Sequence, residues 1–280
     1  MARIVLVLAL LAAGVSGCGA DSAGSSGASA HTDVVASFYP LAWAAEQVGG
    51  DRVDVRNLTP PGTEPHDVEL TARDVERIRS ADVVLYLGGG FQPAVEEAVD
   101  GADGTVVDLL VDPVGSDPHV WLDPRRFATI AERIAEALGG SADAARLTGQ
   151  LRTLDAEYRK GLAHCQRHDL VTAHAAFGYL ARRYGLEQVA ITGISPEAEP
   201  TPRELEHAVD RVRRTRATTV FFETLVSPRL AKTVAGEAGA RTDVLNPIEG
   251  LTPDELAHGE TYLTVMRENL AAIRRALDCR

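Results

Sequence analysis

Short apolar runs alternate with longer amphipathic ones along most of this chain. Val34–Phe38, Val53–Asn57, Val83–Leu87 and Thr105–Leu109 are brief and rich in β-branched residues, as expected of strands in a parallel sheet. Between them, Leu41–Val48, Thr71–Arg79 and Pro93–Val99 place apolar residues at helical intervals. Thr71, with Asp74 three positions on, marks the start of the second of these helices. The order β-α-β-α-β-α-β predicts an α/β domain over residues 32–140.

Two helices follow. The first runs over Pro124–Leu138, with Asp123 as its cap and Pro124 at its first position, and Gly139-Gly140 ends it. From Ala142 to about Cys165, apolar residues at Leu147, Leu151, Leu154, Tyr158 and Leu162 form one stripe on a charged helix. Residues 141–166 are therefore expected to be a stiff connector. Residues 167–280 then repeat the first pattern. Leu170–Ala173, Gln188–Thr192, Thr218–Phe222 and Thr242–Leu245 read as strands; Phe177–Tyr184, Pro202–Arg214, Pro228–Glu237 and Glu260–Leu277 read as helices. Thr201-Pro202-Arg203-Glu204 and Thr252-Pro253-Asp254-Glu255 combine capping-box spacing with proline at the first helical position, and Ser227-Pro228 is a further cap.

The amino-terminal segment has a different character. Arg3 precedes an unbroken apolar run from Ile4 to Ala13, too short to span a bilayer. Val15-Ser16-Gly17-Cys18 then resembles a lipobox, where bacterial lipoproteins are lipidated on cysteine and cleaved before it. Residues 1–17 are expected to be a lipoprotein signal peptide, and 18–31, rich in Gly, Ser and Ala, a flexible tether to the extracytoplasmic face of a membrane. Cys165 and Cys279 remain. In an exported protein they are a candidate disulfide; two free buried thiols is the other reading. A formal net charge of −12 over 280 residues argues against nucleic acid as a partner and suits a surface that attracts cations.

Ligands of parallel α/β sheets collect beyond the carboxyl ends of the strands. His66 follows the second strand, His119 the fourth, His174 the first strand of the second half, and Asn246 its last strand. Three imidazoles on separate loops suit Zn²⁺ better than Mn²⁺, which takes more carboxylate oxygen. Each imidazole needs an acceptor for its other N–H; Glu64, Asp67, Glu223 and Glu249 are the candidates. Neutral imidazole is required for binding, so affinity is expected to fall below about pH 6.5. His31, His164, His168, His207 and His258 are read as solvated.

At these residues the chain resembles the metal-binding lipoproteins of zinc and manganese ABC transporters, the cluster that includes ZnuA-type proteins. The resemblance runs from about Val34 to Cys279. It is carried by Ser37-Phe38-Tyr39-Pro40-Leu41, by Leu58 to Asp67, by Asp117-Pro118-His119-Val120-Trp121-Leu122-Asp123-Pro124, by His174 to Leu180, and by Leu245-Asn246-Pro247. It implies two (β/α)₄ domains with parallel sheets, joined by one long helix, with the metal between them. It also implies that His66, His119 and His174 are ligands, the last favouring zinc. The family's fourth position, usually Asp, falls on Asn246. That leaves Asn246, a water or Glu249 to complete the site. Gly88 to Ser116 contains no histidine, so the histidine-rich loop of many zinc-type members is absent here.

The resulting expectation is a monomeric binding protein that passes Zn²⁺ to ABC permease subunits, and not an enzyme. A manganese-binding relative is the alternative. A zinc hydrolase is a further rival, since three His and a water also form a catalytic set; no His-Glu-x-x-His helix supports it. A third rival is an organic-ligand binder with Phe38, Tyr39, Trp43, Trp121 and Phe177 lining the pocket.

Overall fold

The computed structural model describes residues 31–140, 142–197 and 200–280. Cys18, with the expected signal peptide and most of the expected tether, lies outside the described residues. In the first half, β1 (Thr32–Ala36), β2 (Val53–Asn57), β3 (Val83–Tyr86) and β4 (Thr105–Asp108) form a parallel sheet in the order β2-β1-β3-β4. Helices α1 (Tyr39–Gly49), α2 (Ala72–Ser80) and α3 (Pro93–Ala98) make its crossovers. The second half has β5 (Asp169–Thr172), α6 (Gly178–Tyr184), β6 (Glu187–Ala190), α7 (Pro202–Thr215), β7 (Thr219–Phe222), α8 (Arg229–Ala238) and β8 (Arg241–Val244). Its parallel sheet has the order β6-β5-β7-β8. Between the halves lie α4 (Pro124–Ala137) and α5 (Ala142–Gly161), and α9 (Pro253–Ala257) and α10 (Tyr262–Leu277) end the chain.

Local chemistry explains the boundaries. Thr71, Thr201 and Thr252 each accept from the backbone N–H three residues on, and the acidic side chain there returns the bond. Asp123 caps α4, accepting from Arg125 N. The central strands are the most apolar: Val34, Val35 and Ala36 of β1 and Val83, Val84 and Leu85 of β3 are buried. Edge strands β2 and β8 carry exposed polar residues, which discourages pairing with another chain.

The stripe on α5 is buried as expected: Leu147, Leu151, Leu154, Tyr158 and Leu162. It faces α4, α1 and α10. Tyr158 donates its hydroxyl to Met266 O at 2.6 Å. Trp43 packs against Phe127, 6.1 Å away, and Tyr262, 5.4 Å away, and those two rings meet at 4.3 Å. One apolar cluster thus runs from α1 through α4 and α5 to Leu180 of α6 and Tyr262 of α10. The connector is built into a shared core, which opposes large hinge motion between the sheets. The helix ends at Gly161, short of Cys165, where a Cβ would lie 3.1 Å from a Leu270 methyl. Cys165 and Cys279 are joined in a disulfide across a sequence separation of 114.

Candidate metal centre

Four loops at the carboxyl ends of the strands converge. His66 lies between β2 and α2, His119 between β4 and α4, His174 between β5 and α6, and Glu249 between β8 and α9. One donor atom from each lies within 4.8 Å of all the others, and all four residues are buried. Exposure is 8% for His66, 0% for His119 and His174, and 1% for Glu249. The other five histidines stay exposed, as expected.

The geometry is more specific than proximity. All three Nε2 atoms point at one oxygen, Glu249 Oε1, at 3.0 Å from His119, 3.3 Å from His174 and 3.5 Å from His66. One carboxylate oxygen does not comfortably accept three imidazole N–H groups. Tetrahedral zinc with bonds of about 2.0–2.1 Å sets neighbouring donors about 3.3–3.4 Å apart, close to the 3.0–3.5 Å that separate Glu249 Oε1 from the three Nε2 atoms, and all four donors lie within 4.8 Å of one another. The outer nitrogens fix the ring orientations. His119 Nδ1 is 2.9 Å from Asp117 Oδ1, and His174 Nδ1 is 2.5 Å from Glu223 Oε1. Donating Nδ1–H to these carboxylates leaves each Nε2 lone pair free for a cation.

Each loop is braced. Gln92 Nε2 reaches Pro65 O, Thr59 Oγ1 and Ser37 O at 3.2–3.3 Å, and the Glu64 carboxylate accepts from His66 N at 3.0 Å. Gly62 N donates to Leu251 O at 2.9 Å, tying the His66 loop to the Glu249 loop. Trp121 Nε1 donates to Pro247 O at 2.8 Å, and Tyr262 OH donates to Trp121 O at 2.6 Å. Phe38, Phe91 and Trp121 pack ring to ring, and the His66 ring meets Phe91 edge-on. These aromatics are buried and form an apolar wall beside the site. A cleft of about 760 Å³ runs along β6 and α7 and contains none of the four residues.

Asn246, one of the three candidates for the fourth position, turns its side chain to partners other than the three histidines. Its Oδ1 accepts from Ile248 N at 2.7 Å, and its Nδ2 donates to Thr224 Oγ1 at 3.1 Å and Glu255 Oε1 at 3.2 Å. The bond to Ile248 N makes a turn of the type Asn favours. It helps hold Ile248 at φ 57°, a left-handed conformation costly for a β-branched residue. That turn presents Glu249 to the histidines. Asn246 therefore shapes the loop, and Glu249 is the carboxylate that this loop brings to the three histidines.

Sequence reasoning missed Asp117. Its signal was present: an Asp two residues before His119 accepts both His119 N, at 3.0 Å, and the ring Nδ1. Glu64 and Asp67 have no bond to an imidazole ring among the described residues.

Charge balance at the cluster is distinctive. Burial works to lower the His174 pKa, but Glu249 and Glu223 outweigh it and push it up to about 10. His119 follows the same direction: burial is opposed by hydrogen bonds to Asp117 and Glu249, and it is held above the ordinary value. Burial favours the acid form of Glu249, yet the three histidines hold it well below the usual range. Glu64 is raised to about 7 by burial and by Glu249. The buried carboxylate thus favours the protonated form of His119 and His174 when no cation is bound. Both shifts move in the direction that extends proton competition with a cation above the expected threshold near pH 6.5.

Comparison with known proteins agrees with this architecture. The family model described as zinc-uptake complex component A, periplasmic (ZnuA), matches residues 34–276. The zinc-binding lipoprotein AdcA of Streptococcus pneumoniae is 36% identical over 279 residues, 88% of this chain and 56% of that protein. The chain thus spans about half the length of these AdcA relatives. The high-affinity zinc uptake system protein ZnuA of Bacillus subtilis is 31% identical over 303 residues, covering 94% of this chain and 93% of that one. Among solved structures, the Zn(II)-bound ZnuA-like domain of S. pneumoniae AdcA superposes with a TM-score of 0.77 at 36% identity, over 89% of this chain and 100% of that one. The laminin-binding protein Lmb of Streptococcus agalactiae reaches a TM-score of 0.80 at 31% identity, over 88% and 99%. With its two parallel sheets and buried cluster of three His and one Glu, the chain belongs to the ZnuA family of zinc-uptake components.

Proposed function

We propose that this protein captures Zn²⁺ outside the cytoplasm and delivers it to ABC-type permease subunits for import. The observation that carries the reading is the convergence of His66, His119 and His174 on Glu249 Oε1 at 3.0–3.5 Å. Those four residues are the ligands in this reading. Nitrogen donors with one carboxylate favour zinc over manganese. Relatives named for zinc binding and zinc uptake support the same choice.

Four protein donors fill a tetrahedral shell, leaving no position for the water a zinc hydrolase must activate. The protein is a carrier and not an enzyme. Binding replaces the cation's water with buried donors and expels imidazole protons. Release needs the loops to part, because the core through α5 resists separation of the sheets. Cys18 is the lipid anchor, residues 18–31 the tether, and the carrier works as a monomer.

The test is calorimetric titration of the metal-free protein with Zn²⁺ and with Mn²⁺. One tight zinc equivalent is expected, with manganese far weaker, and His119→Ala should abolish tight binding. Lack of stoichiometric zinc binding overturns the proposal. For the anchor, Cys18→Ala should move the protein from membrane to soluble fractions; unchanged membrane association contradicts it.

A further inference from the structure

Tyr179 lies on α6, five residues after His174, yet its bonds go to the segment that carries His119. Its hydroxyl donates to Asp117 O at 3.0 Å and accepts from Val114 N at 2.8 Å. Val114 and Asp117 also form an antiparallel bridge, so the hydroxyl closes a small loop already folded on itself. The Tyr179 ring is 2% exposed and lies close to two guanidinium groups, Arg126 at 4.9 Å and Arg182 at 5.0 Å. Arg126 stands on α4 and holds the start of the same loop, donating to Val111 O at 2.9 Å and Asp112 O at 2.7 Å. Arg182, on α6, lies 3.7 Å from Asp117 Oδ2.

Gly178 completes the contact. A Cβ there would sit 2.6 Å from Asp117 Oδ2, so the first turn of α6 rests directly against this carboxylate. Asp117 Oδ1 in turn accepts from His119 Nδ1 and aims its Nε2 into the cluster. A path of direct contacts therefore runs from the His174 segment through Gly178 and Tyr179 to Asp117 and His119. It joins two donors that come from opposite sheets.

We propose that Tyr179 is a positioning residue for the metal, a strut that sets the separation of His119 and His174 and so limits the rate of zinc release. It touches no cation and acts through Asp117. The proposal rests on the zinc-carrier reading. With the strut intact, the two imidazoles part only if the hydroxyl bonds and the Gly178–Asp117 contact break together. With the hydroxyl removed, the loop from Val111 to Asp117 is freer to move, and His119 moves with it.

The test is Tyr179→Phe in the full chain, which keeps the ring beside both guanidinium groups and removes only the hydroxyl. Zinc release is followed after mixing the loaded protein with excess chelator. Release about 10-fold faster than wild type is expected, the lower end of effects seen for residues that orient metal ligands. Two further signs separate positioning from general loss of stability: a melting temperature of the metal-free protein lowered by no more than the few degrees that losing two hydrogen bonds costs, and weaker visible absorption of the Co²⁺-loaded form as tetrahedral geometry loosens. Should Tyr179→Phe not fold, Gly178→Ala, which pushes on Asp117 from the same helix, carries the same expectation. Release within twofold of wild type overturns the strut, as does faster release with an unchanged Co²⁺ spectrum. A wild-type protein that holds no zinc refutes the carrier reading instead, so the two failures are distinct.

Discussion

Replacing Glu249 by Gln isolates the part of the site that the sequence left open. The change keeps the side-chain shape and removes one charge. Glu249 is 1% exposed, and its Oε1 lies 3.0, 3.3 and 3.5 Å from three imidazole nitrogens. Removing one partner from a buried charge pair costs about 3–5 kcal/mol, or roughly 100- to 4,000-fold in Kd for zinc. A second effect opposes the first. Glu249 is the largest influence raising His174, against the pull of burial. Without it, the His174 proton leaves more readily and competes less with zinc. The loss of affinity should therefore be greater at pH 9 than at pH 6. Competition against a chelator of known zinc affinity, at both values, measures this. A Kd within threefold of wild type at both pH values, with His119→Ala still abolishing binding, would refute Glu249 as the fourth donor.

Zinc affinity of the wild type should rise about tenfold per pH unit between pH 6 and 8 for each proton displaced, because His174 is held up to about 10; affinity that is flat above pH 6.5 contradicts this. The same raised pKa stabilises the metal-free fold fully below about pH 6.5, and that contribution is lost as pH rises through 10. The melting temperature of the metal-free protein should thus fall over that window. Asn246→Asp should not tighten zinc binding, and it should destabilise the fold, since it sets a carboxylate about where Nδ2 now meets Glu255 Oε1 at 3.2 Å; tighter binding measured by the same chelator assay would return residue 246 to the metal. Replacing Cys165 and Cys279 by Ser opens a loop with a sequence separation of 114. Chain entropy puts the cost at up to about 5 kcal/mol, read as a lower denaturation midpoint. Zinc affinity should barely change, because the disulfide lies toward the amino end of β5 and His174 beyond its carboxyl end.

Most of the fold was legible because each element carries its own signal. The β-branched runs fell on all eight strands, and capping threonines and prolines fixed helix starts to within a residue or two. Strand-end placement singled out His66, His119 and His174 from eight histidines, the family resemblance pointed to the same three, and the structure brings them together. The sequence left Asn246, a water and Glu249 open at the fourth position, because the choice among them depends on a backbone excursion. A strand-end rule points to the first polar residue after β8, which is Asn246. The turn that Asn246 makes, with Ile248 at positive φ, carries the chain on to Glu249. The shared core was also hidden: periodicity shows that α5 has one apolar face, but not that α1, α4 and α10 all cover it. The upward shift of His174 needs two carboxylates 49 and 75 residues away, a long-range arrangement no local pattern reveals.

Anomalous diffraction at the zinc absorption edge, from crystals grown with one equivalent of Zn²⁺, tests the central claim most directly. The account predicts one strong peak about 2.0–2.1 Å from Nε2 of His66, His119 and His174 and from a Glu249 oxygen. Asn246 should stay turned toward Thr224 and Glu255. A peak elsewhere, or one whose fourth neighbour is Asn246 or water, would contradict it.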